Sequence, residues 1–91
     1  MIGGITGYLW GMVLEIDYLW IGDSWRGQGM GKRLVLQLEE AARARNGRTS
    51  ILNTFSFQAP DFYQSLGYEL MAVVEGYGDQ HRRYFLRKSL V

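Results

Sequence analysis

The chain has 91 residues, ten Lys and Arg against nine Asp and Glu, and a formal net charge of +1. That length suits one domain spanning 1–91, and the near balance of charge excludes a global basic field for nucleic acid. Cysteine is absent, which excludes a disulfide framework, a thiolate nucleophile and a Cys-ligated zinc. A content of 47% apolar and 14% aromatic residues excludes a disordered chain.

Met1 to Trp10 reads as a strand loosened by Gly3, Gly4 and Gly7, and Gly11 marks a turn. Glu15 and Asp17 interrupt the apolar start, which also lacks a basic n-region, so it reads as strands rather than as a signal peptide. No run reaches the roughly 18 apolar residues that span a bilayer, and a cytoplasmic location is expected. Val13 to Ile21 is the clearest strand. Alternation puts Leu14, Ile16, Tyr18 and Trp20 on one face and Glu15, Asp17, Leu19 and Ile21 on the other.

Gly22 to Gln28 reads as a loop. From Gly29 the period becomes helical: Met30, Leu34, Leu38 and Ala41 form the stripe, widened by Val35 and Ala42. Glu39 and Arg43, four apart, are expected to pair weakly on the outer face. Asn46-Gly47 ends the helix as a left-handed cap. Thr49 to Phe57 is β-rich, Pro60 opens a short helix with Asp61 in its first turn, and Gly67 closes it. Tyr68 to Gly76 and Arg83 to Leu90 are the last strands, joined through Gly76-Tyr77-Gly78-Asp79. The order β-β-α-β-α-β-β predicts a mixed α/β sheet whose central strand–helix–strand unit is parallel and right-handed. His81, the lone histidine, has no other strong ligand nearby, and no metal site is expected.

Gly27, Gly29 and Gly31 alternate between a strand and a helix. Glycine lets the backbone take positive φ and approach a ligand. The helix start adds unpaired N–H groups and partial positive charge, so the loop is suited to a phosphate or pyrophosphate. Arg26 and Lys32 add charge at its rim. A P-loop is excluded because Arg26 stands where its first glycine belongs and Arg33 where Ser or Thr follows the lysine. A dinucleotide fingerprint starting at Gly27 fails because Lys32 occupies its third glycine.

The pattern that fits is Arg-x-x-Gly-x-Gly, at Arg26, Gly29 and Gly31. Downstream, Phe62-Tyr63-Gln64-Ser65-Leu66-Gly67-Tyr68 fits Phe-Tyr-x-x-x-Gly-Phe with Tyr68 in the last place. Together these resemble the GNAT (GCN5-related) N-acetyltransferase superfamily over nearly the whole chain. Thr54 to Pro60 and Arg83 to Leu86 are similar to a bacterial subgroup of small members. The resemblance implies an acetyl-CoA-dependent N-acetyltransferase that moves an acetyl group to an amine by direct attack. Gln28 to Lys32, including Met30, hold the pyrophosphate through backbone N–H groups. The main chain of Leu19 and Ile21 pairs with the pantetheine arm. Tyr63 protonates the leaving thiolate, a task within reach of a phenol of pKa about 10. Glu15 or Asp17 serves as the base that deprotonates the amine. Asn53 and Ser56 bind pantetheine or order a water. Tyr8, Trp10, Tyr18, Trp20 and Trp25 are aromatics for an acceptor pocket, although Trp20 on the apolar face reads better as core.

Compared with the family plan, the chain is N-terminally shortened, starting near the third strand. It is a fragment, a naturally small member, or one half of a pair that completes itself by edge pairing or swapping; a homodimer is expected. The rival reading is a catalytically incompetent shortened module that binds CoA or self-associates. Arg43, Arg45 and Arg48 and the Arg82–Lys88 cluster read as a solvated helix end and edge strand, not as a nucleic-acid surface.

Overall fold

The computed structural model places, in chain order, β1 (Gly3–Trp10), β2 (Val13–Ile21), α1 (Met30–Arg43), β3 (Thr49–Phe55), α2 (Pro60–Ser65), β4 (Glu69–Glu75) and β5 (Arg82–Ser89). It describes residues 3–22, 29–55, 60–78 and 80–91. Trp25, Arg26, Gly27, Gln28, Ser56 and Asp79 lie outside the described residues. The five-stranded sheet has the order β1-β2-β3-β5-β4. Strands β2 and β3 run parallel with α1 between them in sequence, and every other neighbouring pair is antiparallel. This is the expected mixed α/β arrangement.

Helix α1 stops where the sequence indicates. Asn46 takes φ 68, a left-handed conformation that asparagine tolerates, and Gly47 N–H bonds back to the Ala42 carbonyl at 2.7 Å. An added Cβ at Gly47 would lie 2.8 Å from that same oxygen, so only glycine allows the close return. The chain then enters β3, where Arg48 N–H bonds to the Met12 carbonyl at 2.8 Å beside the β1–β2 turn.

Both helices cover one face of the sheet. Val35 and Ala42 of α1 pack with Leu14, Ile16, Leu52 and Leu86 from β2, β3 and β5, and Phe62 and Tyr63 of α2 close on the same cluster. No helix among the described residues covers the opposite face.

Two sequence expectations fail at specific residues. In the β1–β2 ladder Thr6 opposes Tyr18 and Gly7 opposes Ile16, which leaves Asp17 as an extra residue in β2. Such a bulge reverses the alternation downstream. Leu14 and Ile16 are therefore followed on the core face by Leu19, while Tyr18 and Trp20 turn outward at 60% and 37% exposure. Trp20 is not core, and Glu15 does not share a face with Leu19. On α1, Ala41 is exposed and Glu39 is buried at 0% exposure. The inward stripe runs Val35, Leu38, Glu39, Ala42, so Glu39 is not an outer-face residue.

Candidate functional site

Helix α1 begins at a left-handed glycine. Gly29 has φ 74, and among the described residues no side chain caps the helix. No acidic residue stands in its first turn, whereas Lys32 and Arg33 do. Uncapped N–H groups, the dipole and two cations make this end a site for an anion. Among the described residues an ideal Cβ at Gly29 meets nothing within 4 Å. Met30 and Lys32, assigned to the site from sequence, are the first and third residues of the helix.

Gly31 ties that end to α2. A Cβ there would lie 3.1 Å from Phe62 Cζ, so the missing side chain lets α2 approach the first turn of α1. Tyr63 follows Phe62 directly and packs edge-on against it, with ring centroids 5.1 Å apart. Burial pushes the Tyr63 phenol above its usual range and favours the protonated form. Tyr63 also meets Tyr68 edge-on at 6.1 Å.

Tyr68 is fixed by a polar network that sequence reasoning missed. Its hydroxyl donates to Glu39 Oε2 at 2.8 Å. With that hydrogen committed, the 2.7 Å contact to Ser50 Oγ has the serine as donor. Lys88 Nζ donates to Glu39 Oε1 at 2.9 Å. Burial, with the neighbouring Glu39 carboxylate, holds the Tyr68 phenol protonated. The signal was present in the spacing: Glu39 stands between Val35 and Ala42 on one helical stripe. What sequence spacing lacked was the partners, which come from β3, the α2–β4 connection and β5.

The parallel ladder between β2 and β3 runs from Val13 opposite Thr49 to Ile16 opposite Leu52 and ends there. Beyond it β2 continues to Ile21 paired with β1, with Leu19 opposite Ile5 and Ile21 opposite Gly3. The bulge at Asp17 begins where the two strands part, and β3 runs on past the split through Asn53. Past Ile16 no described strand pairs with β2 on its β3 side, along the stretch that includes Leu19 and Ile21.

On the helix-free face, Glu15 stands opposite Ile51 of β3. Tyr8 Oη donates to Glu15 Oε2 at 2.7 Å, and that bond, with nearby acidic charge, raises the Tyr8 pKa. Asp17 is exposed in the bulge. Asn53 projects to the same face as Glu15, between buried Leu52 and Thr54. Its Oδ1 accepts from Arg83 Nε at 2.9 Å, a partner that the sequence reading did not give it. Tyr63, on the helix side, and Glu15, on the other, therefore lie on opposite faces of the sheet.

A family model for the acetyltransferase (GNAT) domain matches residues 1–70. The chain belongs to the GNAT acetyltransferase family. It is 37% identical over 91 residues to the blasticidin-S acetyltransferase of Streptomyces morookaense, covering 99% of this chain and 67% of that one. The crystal structure of an acetyltransferase from Bacillus cereus matches with 39% identity and a TM-score of 0.92, covering 97% of this chain and 63% of the other. An aminoglycoside 6'-N-acetyltransferase solved with coenzyme A shares the fold at 22% identity and a TM-score of 0.85. The chain spans about two thirds of the length of these GNAT relatives.

Proposed function

We propose that residues 1–91 act as one acetyl-CoA-binding domain that transfers the acetyl group to an amine. The uncapped, glycine-started N-terminus of α1 beside the split between β2 and β3 carries this reading. An anion site and an extended slot, linked along the chain by the short connection from β2 to α1, suit a pyrophosphate joined to a pantetheine arm. Backbone N–H groups of Gln28 to Lys32, with Arg26, hold the pyrophosphate in this reading, and the main chain of Leu19 and Ile21 receives the arm. Acetyl-CoA supplies the activated thioester.

Glu15 is the better base of the two carboxylates, because Tyr8 fixes its orientation while Asp17 sits exposed in a bulge. It takes a proton from the acceptor ammonium on the helix-free face. Tyr63 gives a proton to the departing sulfur from the helix side. Base and acid then serve the two proton transfers of one addition–elimination: as the C–N bond forms at the thioester carbonyl and the C–S bond breaks, Glu15 takes the proton from nitrogen and Tyr63 supplies one to sulfur. The name of the Streptomyces relative supports a small-molecule amine as the acceptor. A cytoplasmic location goes with this co-substrate. A homodimer belongs to the same proposal, since β1 and β4 are the edge strands of the described sheet.

Calorimetric titration with acetyl-CoA and a thiol-release assay over an amine panel test the two halves of this reading. Gly29→Glu is expected to abolish acetyl-CoA binding. It places a side chain at φ 74, strained for an L-residue, and a negative charge at the anion site. Unchanged affinity would remove the loop assignment. Binding with no thiol release would leave a CoA-binding module without turnover.

A further inference from the structure

Arg83 leaves β5 on the helix-free face, since its neighbour Tyr84 packs into the core on the other side. Three contacts fix its guanidinium. Nε donates to Asn53 Oδ1 at 2.9 Å, and Cζ lies 5.6 Å from the Phe55 ring centroid and 5.2 Å from that of Phe85. Tyr77 backs Phe55 edge-on at 5.2 Å. Among the described residues no carboxylate pairs with Arg83. This differs from Arg82, whose Nε meets Glu75 at 3.0 Å.

A guanidinium held this way is partly stripped of water by two aromatic faces. Its terminal nitrogens keep the forked geometry that fits a carboxylate. Its position matters as much as its chemistry. Asn53 is the first β3 residue past the end of the β2–β3 ladder, so the anchored cation sits at the mouth of the split. Glu15 lies on the same face, one strand over and two residues back along β3 by the pairing of Glu15 with Ile51. Ideal strand spacing and rise put the Glu15 and Asn53 columns about 8 Å apart, and Arg83 reaches Asn53 from the far side of β3, out of β5. The face therefore presents a carboxylate and a guanidinium separated by the length of a short molecule.

We propose that Arg83 is a specificity-determining residue that binds a carboxylate on the acceptor, so that the acceptor is a zwitterion carrying its reactive amine a few bonds from an acid group. This rests on the transferase reading above and narrows its substrate class. Glu15 receives the ammonium end and Arg83 the carboxylate end. A polycationic amine meets the wrong charge at Arg83 and is disfavoured.

The test uses ω-amino acids from glycine to 6-aminohexanoate, each beside its uncharged amide, with acetyl-CoA and the full chain. Thiol release is followed for turnover, and calorimetry on the CoA-loaded protein for binding. The expected result is a preference for acid over amide of about 10- to 100-fold in kcat/KM at one or more chain lengths, the range of a charge-assisted contact. It should appear mainly in KM and in calorimetric affinity. Arg83→Gln should erase the preference, and Arg83→Lys should restore part of it, both with acetyl-CoA affinity unchanged. Amides used as well as acids at every length would overturn the proposal, as would acetylation of 1,6-diaminohexane in preference to all the acids. Turnover of none of these probes while acetyl-CoA still binds would overturn it too. Loss of acetyl-CoA binding in the unaltered chain would instead strike the transferase reading itself.

Discussion

Tyr63 shows how one side chain acquires a role from its surroundings. Its ring is held between Phe62 and Tyr68, and burial raises the pKa of its phenol above 10.0. A raised pKa means the proton is retained up to and beyond pH 10, so the acid form is present throughout the working range. Tyr63→Phe should lower kcat by about 10²- to 10⁴-fold, the span of general acid catalysis, with acetyl-CoA affinity unchanged. The kcat profile of the unaltered protein should show no alkaline limb from loss of this acid below about pH 10. A limb at lower pH that disappears in Tyr63→Phe would contradict the assignment. Equal kcat values for the two proteins would remove the acid role altogether.

Among elements, α1 does two jobs. Its N-terminus is the candidate anion site, and near its other end it is pinned to the sheet through Glu39. The carboxylate holds Lys88 of β5 and the Tyr68 hydroxyl, while Arg43 Nε bonds to the Leu90 carbonyl at 2.8 Å. Removing the carboxylate with Glu39→Ala leaves the Lys88 ammonium, only 17% exposed, without its counter-charge. A loss of about 3–5 kcal/mol in unfolding free energy is expected, as for breaking a buried pair. Tyr68→Phe deletes one hydroxyl and leaves Glu39 and Ser50 each short of a bond, at about 1–3 kcal/mol for each stranded group. Urea titration of the two variants checks both values. A change below about 0.5 kcal/mol in Glu39→Ala would place that residue at the surface, where ordinary substitutions have such effects.

This element scale is also where the sequence was legible and where it was not. Periodicity found α1 and β2, and local chemistry found their ends: Gly29 at the start of the helix, Asn46 at its close, Pro60 at the start of α2. Those features depend on neighbours along the chain. Spacing alone points Glu39 outward because its partners, Tyr68 and Lys88, lie far away in sequence. Strict alternation points Trp20 inward because it does not allow for the extra residue at Asp17. The site divides the same way. The glycines and Tyr63 stand in a recognisable local pattern. The Asn53–Arg83 contact joins two strands thirty residues apart, and only the β3–β5 register reveals it.

For the whole molecule, the decisive property is a sheet that, among the described residues, has helices on one side only. Helices shield the Leu14, Ile16, Leu52 and Leu86 face, while Trp10 is 82% exposed and Tyr8 48% exposed near the β1–β2 turn. At the far edge, β4 exposes Leu70, Met71, Val73 and Val74. A small domain with apolar surface on an open face and on an edge strand tends to bury it in a partner. The homodimer proposed above should therefore appear in sedimentation velocity at high micromolar concentration as a species heavier than the 10.5 kDa chain. Two charge insertions separate the routes. Val73→Lys should shift the distribution to monomer if β4 edges pair, because a lysine on an edge strand opposes strand addition. Trp10→Lys should do so if the open faces stack. Sedimentation as monomer alone, across the concentration range, would count against self-association by either route.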